Sequence, residues 1–232
     1  MHGDTEPTRP SRLEAVLLDM DGTLVDTEDF WWEAETSLLA DLGHTVHPRE
    51  RKIVVGGPMS RVVDHLLAVT GADIDPLEFG PMINDRFVEL LGRGVPLRPG
   101  ALELLDALAA EGVPLALVSA SHRRIIDQVL LTLGPDRFTT TVAGDEVERT
   151  KPWPDPYLLA AERLGADPAR CVVVEDAPTG VRAGEAAGCP VLVVPSVAVI
   201  EPAPGRTVRS SLKEVDVALL RRLAGEVDGA SR

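Results

Sequence analysis

The sequence predicts an α/β protein in which an all-helical domain is inserted into a doubly wound, Rossmann-like parallel sheet. Short runs rich in valine and leucine alternate along the chain with longer segments of helical periodicity. The runs lack the apolar–polar alternation of strands with one exposed face, which favours parallel strands covered by helices on both sides. Residues 28–95 contain helical patterns and no convincing strand. A chain of 232 residues, 44% of them hydrophobic, can form one large domain that carries such an insert.

Strands and helices are predicted in alternation, which with right-handed crossovers gives a doubly wound sheet. The strands, short and apolar, are Ala15–Asp19, Pro114–Ser119, Thr140–Ala143, Cys171–Glu175 and Val191–Val194. The helices between them, each closed by a glycine, are Pro99–Glu111, His122–Leu133, Pro154–Leu164 and Pro178–Ala187. Ser121 is expected to cap the second of these helices.

The insert is predicted to be a helical cap with the helices Phe30–Leu42, Met59–Val69 and Pro76–Leu91. This organisation gives a core domain of residues 13–27 and 96–224 and a cap domain of residues 28–95. The segments expected to act as hinge strands are Val25–Asp26 on one side and Gly92, Gly94 and Pro96 on the other. We expect the polar ends, residues 1–12 and 225–232, to be disordered or flexible.

Charge and cysteine content exclude several classes of partner. Lysine and arginine number 23 against 37 acidic residues, for a net charge of −14. Such a chain repels phosphate backbones and anionic lipids, so we expect neither nucleic-acid nor membrane binding. Two scattered cysteines form no disulfide framework, and the polar N-terminus lacks the apolar segment of a signal peptide. We expect a soluble, cytoplasmic protein, either a monomer or a weak dimer.

Asp19 and Asp21 belong to the strongest local motif, Asp-Met-Asp-Gly-Thr, which directly follows the first predicted strand. Two carboxylates two residues apart can project into the same space at the carboxyl edge of the sheet, where ligands bind in doubly wound folds. With 37 acidic residues, such a pair also arises by chance as a solvated turn. Polar residues at the ends of the other strands are what favour a functional site over a chance pair.

Three other predicted strands have such residues at or just beyond their ends. Ser119 ends the second strand, before a helix whose free N–H groups can hold a phosphate. Lys151 lies in a proline-rich segment beyond the third strand, in a chain with only three lysines, which indicates a requirement for a compact positive charge. Glu175 and Asp176 end the fourth strand, where buried carboxylates require a cation. An oxygen-ligated ion, Mg²⁺, is the expected one.

Together these clusters resemble the four motifs of the haloacid dehalogenase (HAD) superfamily, in the branch with a helical cap after the first motif. The resemblance runs from about Ala15 to Leu223. It implies a Mg²⁺-dependent phosphatase that works through an aspartyl-phosphate. The roles that it implies are nucleophile for Asp19, general acid and base for Asp21, phosphate binding for Ser119, Ala120 and Lys151, and metal binding for Asp19, Asp21, Glu175 and Asp176.

Among the activities of related enzymes, one is kept as an alternative and two are excluded. Dehalogenases and phosphonate-cleaving relatives lack an acid at the position of Asp21, and the latter need a cap lysine that is missing near Ser60–Arg61. A β-phosphoglucomutase-like enzyme has the same motifs and is the alternative. Those mutases carry a histidine where Trp31 stands, whereas a tryptophan there resembles sugar- and polyol-phosphate phosphatases. A non-catalytic HAD-like binding protein is a remote alternative, because such proteins typically lose the first aspartate or the metal carboxylate.

The expected substrate is a small phosphorylated metabolite, with sugar or polyol phosphates as the leading class. In the cap, the residues expected to contact it are Glu28, Trp31, Arg61 and His65. For Glu28, Arg61 and His65 the alternative is a solvated face, as is usual for charges on a cap, and for Trp31 it is ordinary packing of the cap helix.

Overall fold

The architecture is a six-stranded parallel sheet with helices on both faces, seen in a computed structural model that describes residues 13–54 and 59–225. The strands are β1 (Ala15–Leu18), β2 (Leu115–Val118), β3 (Thr140–Val142), β4 (Cys171–Glu175), β5 (Val191–Val193) and β6 (Arg206–Val208). The helices are α1 (Glu28–Asp41), α2 (Arg51–Val54), α3 (Met59–Thr70), α4 (Pro76–Leu91), α5 (Ala101–Ala110), α6 (Arg123–Leu133), α7 (Asp155–Leu164), α8 (Pro178–Ala186) and α9 (Val217–Leu223).

The strand order is β3-β2-β1-β4-β5-β6, and every neighbouring pair is parallel. β1 lies in the middle, with Leu17 paired to Ala116 on one side and to Val173 on the other. The order of the strands reverses beside β1, which creates the crevice where doubly wound folds bind ligands. This confirms the predicted fold class.

Alternate residues of the strands enter two separate apolar clusters, which explains why the strands read as unbroken apolar runs. Val16 and Leu18 of β1 face one cluster, together with α5, α6 and α9. Ala15 and Leu17 face the other, together with α7 and α8. The first cluster continues without a break into the insert, where Phe87 of α4 is fully buried.

The insert leaves and rejoins the sheet through two chain passages that pair with each other. The amide of Asp26 donates to the carbonyl of Pro96 at 2.8 Å, and the amide of Arg98 donates to the carbonyl of Leu24 at 2.9 Å. Val25 and Leu97 form an antiparallel bridge. The paired residues overlap the predicted hinge strands at Val25–Asp26 and at Pro96, but they do not include Gly92 or Gly94. Hinge motion, and the division into core and cap domains, stay predictions.

Several predicted elements differ from the structure. The strand β6 was not predicted, and the helices α2 and α9 were also missed. Ser121 does not cap α6, because that helix starts at Arg123 after the N-cap residue His122 and has no side-chain cap. The expected disorder of residues 1–12 and of the C-terminal end concerns positions outside the described residues, apart from Gly225.

Two further features bear on the sequence-based expectations. Cys171 and Cys189 are both buried and free. Within residues 13–54 and 59–225, no helix has the length and apolar character that a bilayer crossing requires.

Candidate active site

The carboxyl edge of the sheet and the insert enclose a cavity of about 360 Å³, a volume in the range of about 300–1,000 Å³ typical of small-molecule sites. The sheet side contributes residues at or just after the ends of β1, β2, β3 and β4, together with Lys151 from the segment before α7. The insert contributes residues of α1, α3 and α4 and Val54. The motif residues that line the cavity are Asp19, Asp21, Ser119, Ala120, Lys151, Glu175 and Asp176.

Lys151 joins two carboxylates at the floor of this cavity. Its ammonium donates to Asp19 Oδ1 at 2.6 Å, to Glu175 Oε1 at 2.7 Å and to the carbonyl of Val118 at 2.9 Å. Lys151 is 5% exposed; burial alone would lower its pKa, but Asp19 and Glu175 raise it above its usual range. The lysine is therefore a permanent positive charge at the site.

The three carboxylates of Asp19, Glu175 and Asp176 carry more negative charge than Lys151 balances. All three are buried, and each offers an oxygen within 4.8 Å of the others. Burial and the nearby Glu175 raise the pKa of Asp19 to about 7. Burial, then Asp19 and Glu175, raise the pKa of Asp176 well above its usual range.

An oxygen-ligated divalent cation fits this cluster. Asp19 Oδ2 is buried and has no hydrogen-bond partner in the described part of the chain. A buried carboxylate oxygen without a partner is costly, and carboxylate oxygens are the ligands that Mg²⁺ takes. The donor set thus matches the expected cofactor.

The backbone passes very close to the carboxylates of Asp176 and Glu175 at two glycines. A Cβ atom at Gly22, whose φ is +82°, would lie 2.1 Å from Asp176 Oδ2, and one at Gly180 would lie 1.6 Å from Glu175 Oε1. Ser196 also donates a hydrogen bond to Asp176 Oδ2. Glycine at both positions lets the chain pass directly against the carboxylates.

Asp21 is held by hydroxyl groups rather than by a cation. Ser121 Oγ donates to its Oδ2 at 2.8 Å and Thr27 Oγ1 to its Oδ1 at 2.6 Å. Two longer bonds come from Ser119 Oγ at 3.3 Å and from Trp31 Nε1 at 3.4 Å. The carboxyl group of Asp21 is thus oriented from both the sheet side and the insert.

The helix α1 supplies one wall of the cavity. Glu28, Trp31 and Glu35 line it and recur at helical spacing. The ring of Trp31 stacks on Phe87 of α4, with centroids 3.7 Å apart and planes at 12°. Burial and Asp21 raise the pKa of Glu28 to about 7, and burial and Glu28 raise that of Glu35 to about 8.

The structure does not bring all four predicted cap residues to the cavity. Glu28 and Trp31 line it, whereas Arg61 and His65 are not among the lining residues. Arg61 is exposed and donates to the carbonyl of Ile53, and His65 Nε2 lies 2.9 Å from Glu50 Oε2. Both side chains are engaged within the insert itself.

Some residues around the site were not predicted from the sequence. Tyr157 of α7 donates to Glu175 Oε1 at 2.7 Å, Thr27 and Ser121 bind Asp21, and Glu35 lines the cavity. Ser121 carried a usable signal, because it lies two residues from Ser119. Tyr157 carried none, since its contact with Glu175 depends on how α7 packs against the sheet.

Comparisons with known proteins agree with the observed fold. The family model "haloacid dehalogenase-like hydrolase" matches residues 13–188. Hexitol phosphatase A of Escherichia coli is 35% identical over 216 residues, which cover 90% of this chain and 91% of that one. CbbY from Rhodobacter sphaeroides, solved with phosphate, has a TM-score of 0.79 at 28% identity and covers 90% of this chain and 99% of that chain. β-Phosphoglucomutase from Clostridium difficile has a TM-score of 0.77 at 23% identity, covers 92% and 98%, and shows the fold alone.

Proposed function

The chain belongs to the haloacid dehalogenase-like hydrolase family, and we propose that it is a Mg²⁺-dependent phosphatase that hydrolyses sugar or polyol monophosphates. The observation that carries this proposal is the arrangement of Asp19, which lies at the floor of the cavity with Oδ1 on Lys151 and Oδ2 without a partner among the described residues. The similarity to a hexitol phosphatase over nine-tenths of both chains supports the substrate class. A cytoplasmic location is part of the proposal.

Asp19 is the proposed nucleophile. Its carboxylate oxygen attacks phosphorus, the bond between phosphorus and the leaving alcohol's oxygen breaks, and an aspartyl-phosphate forms. Lys151, which already contacts Asp19, neutralises part of the charge on the transferred group. Asp19, Asp176 and the backbone carbonyl of Asp21, assisted by Glu175, would hold Mg²⁺, which would supply the remaining charge neutralisation.

Asp21 is the proposed general acid and base. It protonates the leaving oxygen in the first step and takes a proton from the attacking water in the second, which releases phosphate and restores Asp19. The hydrogen bonds from Ser121, Thr27 and Trp31 hold its carboxyl group in one orientation. Trp31 lies in the first helix of the insert and Thr27 directly precedes that helix, so the position of the acid depends in part on the insert.

A phosphatase is favoured over the mutase alternative by the charges of the cavity. A mutase keeps the phosphoryl group on Asp19 until a second hydroxyl attacks, so a sugar carrying two phosphates must lie in the site. Among the described residues, Lys151 is the one lysine or arginine that lines the cavity. In the sequence, residues 55–58, outside the described ranges, are Val-Gly-Gly-Pro and have no charged side chain. A second phosphate therefore finds no cationic partner on the wall formed by the insert.

The test is release of inorganic phosphate from a panel of sugar, polyol, glycolate and nucleotide monophosphates, with Mg²⁺ and with EDTA. We expect Mg²⁺-dependent release with a preference for polyhydroxylated substrates. β-Glucose 1-phosphate is assayed for isomerisation in parallel. Isomerisation with little phosphate released would replace the phosphatase by the mutase, and no turnover of any kind would overturn both.

A further inference from the structure

Glu35 is a buried carboxyl group in the cavity that the proposed mechanism does not use. It lies in the third turn of α1, is 4% exposed and lines the cavity. Its Oε2 has no hydrogen-bond partner in the part of the chain that the structure describes. A polar atom that is buried without a partner is costly to the fold, which points to a partner that arrives with a ligand.

The position of Glu35 relative to Asp21 depends on the geometry of the helix. Trp31 Nε1 lies 3.4 Å from Asp21 Oδ1, and Glu35 is the next residue on the same face, about 6 Å further along α1. Asp21 is the proposed donor to the leaving oxygen. Glu35 therefore lies where the remote carbons of a chain-like or ring-like leaving alcohol reach.

The chemistry around Glu35 suits a neutral hydroxyl group. Burial raises its pKa to about 8, with Glu28 adding to the effect and Arg51 opposing it. At neutral pH the side chain is thus a carboxylic acid with one O–H donor and one carbonyl acceptor, and a hydroxyl group can both accept from the first and donate to the second. Arg51 itself is paired with Asp29.

We propose that Glu35 is a specificity-determining residue, which binds a hydroxyl group of the leaving alcohol remote from its phosphate. This inference rests on the proposed phosphatase function and narrows its substrates to monophosphates with a free hydroxyl several bonds from the ester oxygen. Asn84 of α4 lines the same cavity and offers a second neutral donor and acceptor.

The test compares two substrates in four forms of the full-length enzyme with Mg²⁺. The substrates are a hexitol 6-phosphate, which has remote hydroxyls, and p-nitrophenyl phosphate, which has none. The enzymes are wild type, Glu35→Leu, Glu35→Gln and the control Glu33→Leu. Glu33 is on the same helix, does not line the cavity and pairs with Arg93 at 2.6 Å. The readout is the ratio of kcat/KM for the two substrates, with the change expected mainly in KM for the hexitol phosphate.

We expect Glu35→Leu to lower this ratio by about tenfold or more, because a site built to bind a hydroxyl loses that bond. Glu35→Gln keeps a neutral donor and acceptor and should stay within about threefold of wild type, as should Glu33→Leu. If Glu35→Leu is unfolded by circular dichroism, Glu35→Ala repeats the test.

An unchanged ratio in Glu35→Leu overturns the assignment, and so does an equal loss in Glu33→Leu. An equal loss in Glu35→Gln also overturns it, because the amide keeps a neutral donor and acceptor and its failure would mean that binding requires an ionised carboxylate. These failures differ from failure of the proposed function, which is seen as no Mg²⁺-dependent phosphate release from either substrate in the wild type.

Discussion

The buried carboxyl group of Glu35 makes the stability of the fold depend on pH in a way that one substitution isolates. Its pKa is about 8 in the folded chain against 4.5 for an ordinary glutamate. At about 1.4 kcal/mol for each pH unit between these values, ionised Glu35 lowers the free energy of unfolding by up to about 5 kcal/mol. The side chain is 4% exposed, so solvent does little to weaken the effect.

The sign of the effect depends on which state holds the proton. Below pH 4.5 Glu35 is protonated in both the folded and unfolded chains and has no effect on the pH dependence. Between pH 4.5 and about 8 the unfolded chain releases the proton and the folded chain keeps it, so stability falls as pH rises. Above about pH 8 both states are ionised and the loss is complete.

Replacing Glu35 by Gln removes this titration while keeping the shape of the side chain. The free energy of unfolding is measured by urea denaturation at about pH 5, 6, 7 and 8, in EDTA so that no divalent cation adds its own stabilisation. We expect the free energy of unfolding of the variant to increase relative to that of wild type by about 1 kcal/mol for each pH unit over this range. The control Glu33→Gln changes a side chain that is 45% exposed and should run parallel to wild type. Parallel curves for Glu35→Gln and wild type would refute a buried, neutral Glu35.

Three further predictions concern the floor of the cavity. Asp19→Asn should reduce Mg²⁺-dependent phosphate release by at least about a thousandfold without unfolding the chain; wild-type turnover in this variant contradicts Asp19 as nucleophile. Lys151→Met leaves Asp19 and Glu175 without their shared cation and should lower the free energy of unfolding in EDTA by about 3–5 kcal/mol. Urea denaturation measures this loss, and an effect below about 1 kcal/mol is incompatible with a buried ion pair. Gly180→Ala places a Cβ atom 1.6 Å from Glu175 Oε1, so Glu175 must move and stability should fall by about 1–3 kcal/mol; thermal denaturation unchanged from wild type would show that the contact is not tight.

Much of the sheet could be predicted because its strands carry their own signal. The strand Cys171–Glu175 is apolar on both faces up to its final glutamate, and the structure buries all five of its residues. The strand β6 (Arg206–Val208) has no such signal, since its three residues are only half-buried. Its pairing with Val191–Val193 depends on where the tertiary fold leaves an open sheet edge, and local pattern does not encode that.

The residues of the site likewise differ in whether the local sequence carries a signal for them. Asp19 and Lys151 could be selected because each stands at or beyond the end of a predicted strand. Glu35 could not, because in sequence it is one more acidic residue in a helix of an acidic chain. Its significance comes from burial against the cavity, which depends on how α1 packs on α4 and on the sheet.

Acidic groups outnumber basic ones in this cavity, and this excess affects the proposed binding of the metal and of the substrate as well as the charge of the insert. Three buried carboxylates lie around one ammonium at the floor, and Glu28 and Glu35 add carboxyl groups from the insert. A phosphate dianion entering such a site meets net negative charge in a medium of low dielectric, where repulsion is strong. Two changes relieve that repulsion: a divalent cation on the cluster, and protonation of the insert's carboxyl groups, whose pKa values burial raises to about 7 and about 8. The same protonation turns those groups into hydrogen-bond donors. The proposed phosphate binding and the proposed recognition of the alcohol therefore have the same requirement, which is that the carboxyl groups of the insert be neutral when the substrate binds.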